Sequence, residues 1–420
     1  MLFIAIFFTS VIIRKRGDGM KGNQRVNVIN GIFLALALNL TKPYNAKFAL
    51  RLGGSDYHVA MISSLPAIVA ALSLIPISIW IEQAKDQQKR TAILMFLHKL
   101  FYLGMALLPF FHGVDRAAIF VLCVGFMNLP FAASQLGHQS YVGTIFSPVE
   151  RGFAMGLRNR YSDSARLLVM IATGQLMLRI PKTNQDFIQL YQIFFILAFL
   201  IGLGEVISFM KFSKIESSEK TKGGGIKLVQ EVLKCLPKEK EFLLYTACAL
   251  VFYFGWQMGW PLFSLYMIQD LGADEFWLSV ISVSASLFSI LSVTFWAKLA
   301  DEKGNRTVIV MTTFLMALTP AVFAVTKSLP MMALLQVIPG TATSGTILVL
   351  FNSLLEVTPT KNRTIYLAFF TTAVNISASI APVFSVWVKS QSAIVPALLL
   401  TAVVRMTGCA ALYFRRKTRV

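Results

Sequence analysis

The sequence is poor in charged residues, in cysteine and in histidine. Only 14% of its 420 residues are charged, whereas 56% are hydrophobic. A water-soluble domain needs a largely polar exterior, so this composition argues against one. The four cysteines, Cys123, Cys235, Cys248 and Cys409, form no C-x-x-C pair, and the four histidines fall in different segments. Neither a disulfide framework nor a metal site is therefore predicted.

Motifs of ATP-driven and hydrolytic chemistry are also missing from the sequence. There is no G-x-x-x-x-G-K-[ST] phosphate loop and no H-E-x-x-H zinc motif. Nor does the sequence offer a recognisable nucleophile–base or metal constellation. An enzyme is therefore not predicted, and no cofactor is expected.

The hydrophobic residues lie in long blocks, each close to the ~20 residues that a helix needs to cross a bilayer. Inside the hydrocarbon core the backbone cannot bond to water, so each block is predicted to be a helix. The predicted spans are 27–50, 58–81, 91–112, 117–140, 155–178, 188–211, 241–267, 276–298, 307–327, 330–355, 365–388 and 392–414. The predicted fold class is an all-α polytopic membrane protein with twelve transmembrane helices and the lipid bilayer as partner.

The basic residues that give the chain its net charge of +19 are unevenly distributed among the loops between the predicted spans. Basic residues gather in alternate loops, while the intervening loop 268–275 carries only Asp270, Asp274 and Glu275. This positive-inside pattern predicts a multi-pass protein of the cytoplasmic (plasma) membrane with both termini in the cytoplasm. Because the charge follows topology, no nucleic-acid partner is predicted.

Composition along the chain predicts five regions. These are an N-terminal extension (1–23), a six-helix bundle (24–211), a cytoplasmic linker (212–240), a second six-helix bundle (241–414) and a basic cytoplasmic tail (415–420). In the extension the apolar run Met1–Ile13 precedes its basic cluster, the reverse of the order in a signal peptide. Met20 is an alternative start of the protein.

The two predicted bundles repeat one another in sequence. The loop after the second span contains Trp80, Arg90 and Thr91, and the loop after the eighth span has tryptophan, arginine and threonine at the same spacing. Trp296 and Arg306 thus correspond to Trp80 and Arg90. Three further matches occur in the same order: Leu52-Gly53 with Leu271-Gly272, Pro43 with Pro261, and Pro148…Arg151 with Pro359…Arg363. Such a duplication is typical of secondary transporters, whose solute site lies near the bilayer midplane.

The segment from Ala297 through Asp301 and Gly304 to Arg306 is similar to the cytoplasmic motif G-x-L-A-D-r-x-G-r-k of the major facilitator superfamily. Ala297 replaces the first glycine of that motif, and the copy after the second span has Lys85 at the aspartate position. The resemblance covers residues 24–414. It implies two parallel-related six-helix bundles (the MFS fold) and transport by alternating access.

The resemblance also predicts gating roles for Asp301, Arg306, Asp86 and Arg90. A carboxylate at the cytoplasmic end of a helix can bind a basic residue or a helix N-terminus in one conformer and release it in the other. The alternative is a solvated loop that only obeys the positive-inside rule. The gate is favoured for Asp301, and the solvated loop for Asp86, since the first copy of the motif is degenerate.

Charged residues inside the predicted spans cost at least ~2.5–3.5 kcal/mol each, so each needs a partner or a watery cavity. The fifth span holds most of them. Asp163 lies three residues from both Arg160 and Arg166 and can pair with either. Arg158 and Arg160 are predicted to reach back to the interface. Arg166 lies too deep for that, and the sequence leaves open an anion ligand or a structural ion pair.

Polar and aromatic residues flank Pro43 and its counterpart Pro261, where a proline frees backbone carbonyls. Aromatic rings beside an amide suit a sugar, a nucleoside or an aromatic solute. The resemblance implies that spans one, four, seven and ten line the cavity. The predicted substrate-binding residues are Asn39, Lys42, Tyr44, Gln135, His138, Asp163, Arg166, Trp256, Gln257 and Asn352.

The predicted function is a secondary active transporter or facilitator of a small solute, acting as a monomer. Basic groups outnumber acids inside the spans, which favours an anionic or polar metabolite, and a co-transported proton would use Asp163 or His138. Two alternatives stay open: a transporter-like sensor or scaffold that binds without carrying, and a drug-efflux pump for apolar compounds. Lys99, Glu205 and Arg405 fall in peripheral spans and are predicted to pair or to reach the interface.

Overall fold

A computed structural model describes residues 22–82, 86–111, 113–214, 236–359 and 363–415. These residues form α-helices joined by short turns, with no strand among them. The helices are α1 (Gly22–Asn39), α2 (Asn45–Arg51), α3 (Asp56–Glu82), α4 (Gln87–Leu107), α5 (Arg116–Ile145), α6 (Pro148–Arg179), α7 (Asn184–Met210), α8 (Lys240–Leu265), α9 (Glu275–Lys303), α10 (Asn305–Val325), α11 (Leu329–Leu335), α12 (Val337–Val357), α13 (Arg363–Gln391) and α14 (Ile394–Phe414).

Eleven helical segments of the described chain are long and apolar enough to cross a membrane. Two of them combine consecutive helices, α1 with α2 and α11 with α12. Helix α6 is the remaining long helix, with 32 residues, and the charged side chains at its centre lower its hydropathy. The predicted all-α, multi-pass fold is confirmed.

The two prolines matched by the repeat have different effects on their helices. At Pro43 the first span is interrupted: α1 ends at Asn39, a 3₁₀ turn covers Lys42–Tyr44, and α2 follows. Proline lacks the N–H that would continue the α-helical ladder, which accounts for this break. Pro261, in contrast, lies inside the uninterrupted helix α8.

By packing, the chain forms two compact units. The first comprises Met1–Gly54 and Leu72–Thr221, and the second comprises Ser55–Ala71 and Lys222–Val420. The first part of α3 thus belongs to the second unit. Most of the predicted linker, of the N-terminal extension and of the basic tail lies outside the described residues.

The same helix pairs pack within each unit. In the first unit α1 packs against α6 and α7, and α4 packs against α5 and α7. In the second unit α8 packs against α13 and α14, and α10 packs against α12 and α14. These pairs correspond in order along the chain, as the sequence duplication predicts.

Candidate functional site

Helix α6 of the first unit carries a row of polar side chains, here called the α6 stripe: Arg158, Ser162 and Arg166. The three residues follow at four-residue steps and therefore share one side of the helix. Each has a buried polar atom without a hydrogen-bond partner among the described residues, namely the two Nε atoms and the Ser162 Oγ. Buried donors normally find partners, so an unpaired row marks a place where a ligand or water can bind.

Asp163 and Arg166 form an ion pair close to the middle of α6. Arg166 Nη2 lies 3.1 Å from Asp163 Oδ1, and the side chains are 32% and 38% exposed. Exposure of charge to lipid at this depth is costly, so the pair is expected to face water. Lys42, at the break after α1, is exposed and lies within electrostatic range of Arg166. Arg166 is thus paired with Asp163, and a second cation, Lys42, lies nearby.

Arg158 lies inside the first unit, so the prediction that it reaches the interface is wrong. Its residue exposure is only 9%, and Nη2 donates to Asn30 Oδ1 at 3.3 Å. The side chain of Arg158 and the Ser162 hydroxyl sit over Gly31 of α1, where a Cβ would approach Ser162 Oγ to 2.5 Å. This glycine gives the arginine room beside α1, and the amide of Asn30 gives it an acceptor.

Lys99 of α4 and Glu205 of α7 form a fully buried ion pair. Lys99 Nζ lies 2.6 Å from Glu205 Oε2, with side chains 1% and 2% exposed. His98 Nδ1 lies 3.0 Å from the same ammonium. Gly202 packs on the lysine stem, since a Cβ there would come within 2.6 Å of Lys99 Cδ. The prediction of structural pairing for these two residues is confirmed.

Four further predicted residues of the first unit are buried or half-buried, and three of them make internal contacts. Asn39 donates to the Ala35 carbonyl of its own helix at 2.8 Å. Tyr44 is fully buried, and its hydroxyl bonds Thr173 Oγ1 at 2.7 Å, which is the position of a packing residue. His138 is buried beside aromatic rings with Nε2 unpartnered among the described residues, and Gln135 is half-buried.

In the second unit, Trp256 and Gln257 have different roles. The Trp256 ring is half-buried and stacks on Tyr253, with centroids 5.7 Å apart and planes 15° apart. The Gln257 amide is buried, donates to the Val374 carbonyl at 3.2 Å and accepts from Ser377 Oγ at 2.6 Å. Gln257 therefore ties α8 to α13, while the Trp256 ring keeps a free surface.

Asn352 lies at the end of α12 near the predicted gating loop. Its amide donates to Asn305 Oδ1 at 3.3 Å, and Asn305 in turn donates to Glu356 Oε1 at 2.6 Å. These contacts join the end of α12 to the start of α10. Asn352 thus belongs to a helix-end cluster rather than to the helix centre.

The predicted gating residues make local contacts in this conformer. Arg306 donates to the carbonyls of Tyr413 and Arg415 at 3.3 and 3.0 Å. Asp301 is exposed and has no ion pair within the described part of the chain. Asp86 caps α4 by accepting from the Lys89 amide at 2.9 Å. This capping role agrees with the solvated loop that was favoured for Asp86.

Arg90 lies over the Trp80 ring, 4.4 Å from its centroid, and donates to the Trp80 carbonyl. The two residues, matched in the repeat by Trp296 and Arg306, therefore touch in the first unit. In the second unit the Trp296 indole instead donates to the Thr341 carbonyl at 2.8 Å. The repeated sequence thus serves different local contacts in the two units.

If Asp301 gates transport, Asp301→Asn should change the transport rate while the protein still inserts into the membrane. Loss of the charge removes a conformer-dependent partner for a basic residue or a helix end. The measurement is initial uptake rate in vesicles at matched surface expression. Glu302→Gln, an equally exposed neighbour, is the control. Equal rates for wild type and both variants would rule out the gate.

A polar cluster in the second unit was not predicted from the sequence. Lys389 Nζ donates to Asp56 Oδ2 and to Gln269 Oε1, both at 2.6 Å, and Gln269 Nε2 donates to Asp56 Oδ1 at 2.7 Å. The three side chains come from the start of α3, a π-helical turn after α8 and the end of α13. Their separation along the chain left no spacing pattern from which the cluster could be inferred.

Comparisons with known proteins bear on the family. Residues 245–420 match the sequence model described as Major Facilitator Superfamily. No curated protein sequence matches the chain. Among solved structures, the nucleoside transporter NupG aligns with a TM-score of 0.72 at 11% identity, over 94% of this chain and 100% of that one.

A bacterial homologue of the human lysosomal transporter Spinster, inward-facing and occupied, aligns with a TM-score of 0.65 at 11% identity, over 94% of this chain and 95% of that one. At such identities the likeness shows the fold, which is that of the predicted superfamily. The match over residues 245–420 includes the loop at Asp301. The chain therefore shares its fold with these two transporters, and residues 245–420 resemble the Major Facilitator Superfamily in sequence.

Proposed function

We propose that the protein transports a small anionic solute by alternating access, with Arg166 as the group that binds its negative charge. The observation that carries this proposal is an excess of positive charge on the membrane-spanning helices of the first unit. Among the charged side chains that interact with one another in the interior of this unit, two acids, Asp163 and Glu205, stand against Lys42, Lys99, Arg158 and Arg166. An anion at Arg166 would balance charge that the protein itself leaves uncompensated.

The unpaired donors of the α6 stripe support the same conclusion. Arg166 gives one nitrogen to Asp163 and keeps Nε–H unpartnered among the described residues. Guanidinium groups bind carboxylate and phosphate through two parallel hydrogen bonds, and Arg166 retains donors for this. We further propose that the anion displaces Asp163, which then takes up the co-transported proton.

Location and orientation extend this proposal. We propose that the protein acts as a monomer in the cytoplasmic (plasma) membrane with both termini inside the cell. The support is the alternation of basic and base-poor loops along the sequence. Protease protection of terminal tags in sealed vesicles tests the orientation.

The test of the anion proposal is a thermal-shift screen of purified protein with named probes. The probes are inorganic phosphate, succinate, glucose 6-phosphate, uridine 5′-monophosphate, uridine and choline; uridine is included because NupG is named a nucleoside transporter. We expect an anion to stabilise the protein most, and Arg166→Gln to weaken its binding by roughly 10- to 100-fold, since hydrogen bonds to charged groups contribute about 1.5–3 kcal/mol.

Arg160→Gln is the matched control, because Arg160 lies on the same helix but is exposed. A preferred probe that is neutral or cationic, and that binds Arg166→Gln as well as wild type, would contradict the proposal. Counterflow of the radiolabelled best probe in proteoliposomes then tests carriage. Saturable binding without flux would point to a sensor, and preference for apolar compounds to an efflux pump.

A further inference from the structure

Arg405 of α14 is a fully buried cation with no carboxylate partner in the described part of the second unit. Its three nitrogens each donate to a backbone carbonyl: Nε to Gly255 at 3.0 Å, Nη2 to Trp256 at 3.0 Å and Nη1 to Met316 at 2.9 Å. The prediction that this residue pairs with an acid or reaches the interface is therefore wrong. The guanidinium instead joins three helices, α8, α10 and α14.

The carbonyl of Met316 explains why a donor is needed on the α10 side. In an α-helix this oxygen would accept from the N–H of the residue four positions later. That residue is Pro320, which lies inside α10 and has no N–H. Arg405 Nη1 supplies the hydrogen bond that Pro320 cannot donate, at a depth where an unsatisfied carbonyl is costly.

On the α8 side, two glycines make room for Arg405, Gly259 for its guanidinium and Gly255 for its backbone. A Cβ on Gly259 would lie 2.4 Å from Arg405 Nη2, and a Cβ on Gly255 would lie 2.8 Å from the Arg405 backbone nitrogen. The carbonyls held by Arg405 are those of Gly255 and of Trp256 itself. The backbone that carries the Trp256 ring is thus attached directly to the arginine.

The corresponding part of the first repeat has no such attachment. Helix α7, which matches α14 in the repeat, contains no lysine or arginine. The helix it packs against, α1, is the one interrupted before Pro43, whereas α8 continues through Pro261. The sixth helix of the repeat thus carries a buried arginine only in the second unit, where the proline-bearing helix stays continuous.

We infer that Arg405 is a positioning residue that fixes the height and rotation of Trp256 by joining α8 to the turn of α10 opened by Pro320. This inference rests on the proposed role of the protein as a solute carrier, in which Trp256 is the predicted aromatic contact. It adds a residue to the solute-binding apparatus that touches no solute. Its consequence is that the second unit presents a fixed aromatic surface.

The experiment follows Trp256 directly by ¹⁹F NMR of the full chain labelled with 5-fluorotryptophan. The six tryptophans give six resonances, and Trp256→Phe assigns the one of interest. We expect Arg405→Gln to shift or broaden the Trp256 resonance while that of Trp277, on α9, stays in place. A purely structural defect would move both resonances or neither.

The decisive comparison replaces one of two prolines by alanine in the Arg405→Gln variant. Pro320→Ala restores an N–H that bonds the Met316 carbonyl, so in the Arg405→Gln background it should recover thermal stability without returning the Trp256 resonance, because the Gly255 and Trp256 carbonyls stay unbonded. Pro261→Ala restores an N–H to the Gln257 carbonyl, which Arg405 does not bind, so it should not recover stability. An unmoved Trp256 resonance in Arg405→Gln, or equal recovery of stability with either alanine, overturns the inference.

If Arg405→Gln does not yield folded protein, recovery of monodisperse protein becomes the measurement. Recovery with Pro320→Ala and not with Pro261→Ala supports the inference, and the reverse result or equal recovery overturns it. None of these measurements uses a solute. Failure of the anion screen would therefore leave this result unaffected, and failure here would leave the screen unaffected.

Discussion

Replacing Glu205 by leucine should destabilise the protein by about 3–5 kcal/mol, the usual cost of removing one partner of a buried ion pair. Lys99 would keep its charge at a site that is 1% exposed, with His98 as its remaining polar contact. Arg158, which interacts electrostatically with Glu205, would lose the same negative charge. Two buried cations would then share no acid.

Lys99→Met should cost less than Glu205→Leu, because Glu205 would still be balanced by Arg158. The double variant Lys99→Met/Glu205→Leu should recover most of the loss of the single leucine variant. Buried pairs replaced by apolar residues of similar volume are often neutral in stability, since the desolvation cost of both charges disappears. The order of stability distinguishes a charge effect from a packing effect.

Thermal unfolding of the purified variants, followed by the fraction that stays monodisperse, measures this order. If the double variant is as unstable as Glu205→Leu, the cost comes from lost packing around the pair rather than from unpaired charge. If Lys99→Met is the worst of the three, Arg158 does not share Glu205. Glu302→Gln, an exposed acid on α9, serves as the control and should leave stability unchanged.

Sequence patterns predicted the helices well because hydropathy and helix length are local properties. Even α6, with charges at Asp163 and Arg166, was predicted to span the membrane and forms a 32-residue helix. The break before Pro43 was likewise predictable, since a proline acts on its own helix. What the sequence could not show was that α8 stays continuous through Pro261.

Side-chain partners were harder to predict, because they depend on which helices pack together. Lys99 and Glu205 are 106 positions apart, and only the packing of α4 on α7 brings them to 2.6 Å. The partners of Arg405 could not be inferred from the sequence, because they are backbone carbonyls. Gln257 resembled a solute contact, yet its amide is occupied by α13. Polarity within a span thus indicates that a partner exists without identifying it.

Gly408→Ala should destabilise the second unit by forcing α8 and α14 apart. A Cβ at Gly408 would lie 2.5 Å from the Cα and 2.6 Å from the nitrogen of Phe252. Those atoms are backbone, so no side-chain rotation relieves the clash, and one of the two helices has to shift. Overpacking of this kind typically costs about 1–3 kcal/mol.

Gly156→Ala on α6 is the matched control. Gly156 is exposed and its added Cβ would meet no atom within 4 Å, so this change should be neutral or stabilising by up to about 1 kcal/mol through helix propensity. The unfolding temperatures of the two alanine variants should therefore shift from that of the wild type in different directions or by different amounts. Equal behaviour would mean that α8 and α14 are not in close contact at Gly408.

The packing change should also reach Arg405, which lies one helical turn from Gly408 on the same helix. A shift of α14 away from α8 lengthens the bonds from Arg405 to Gly255 and Trp256, whereas the bond to Met316 belongs to a different helix pair. The Trp256 ¹⁹F resonance should therefore move in Gly408→Ala and stay in place in Gly156→Ala. If Gly408→Ala lowers stability and the Trp256 resonance does not move, then α8 keeps its position without close packing on α14.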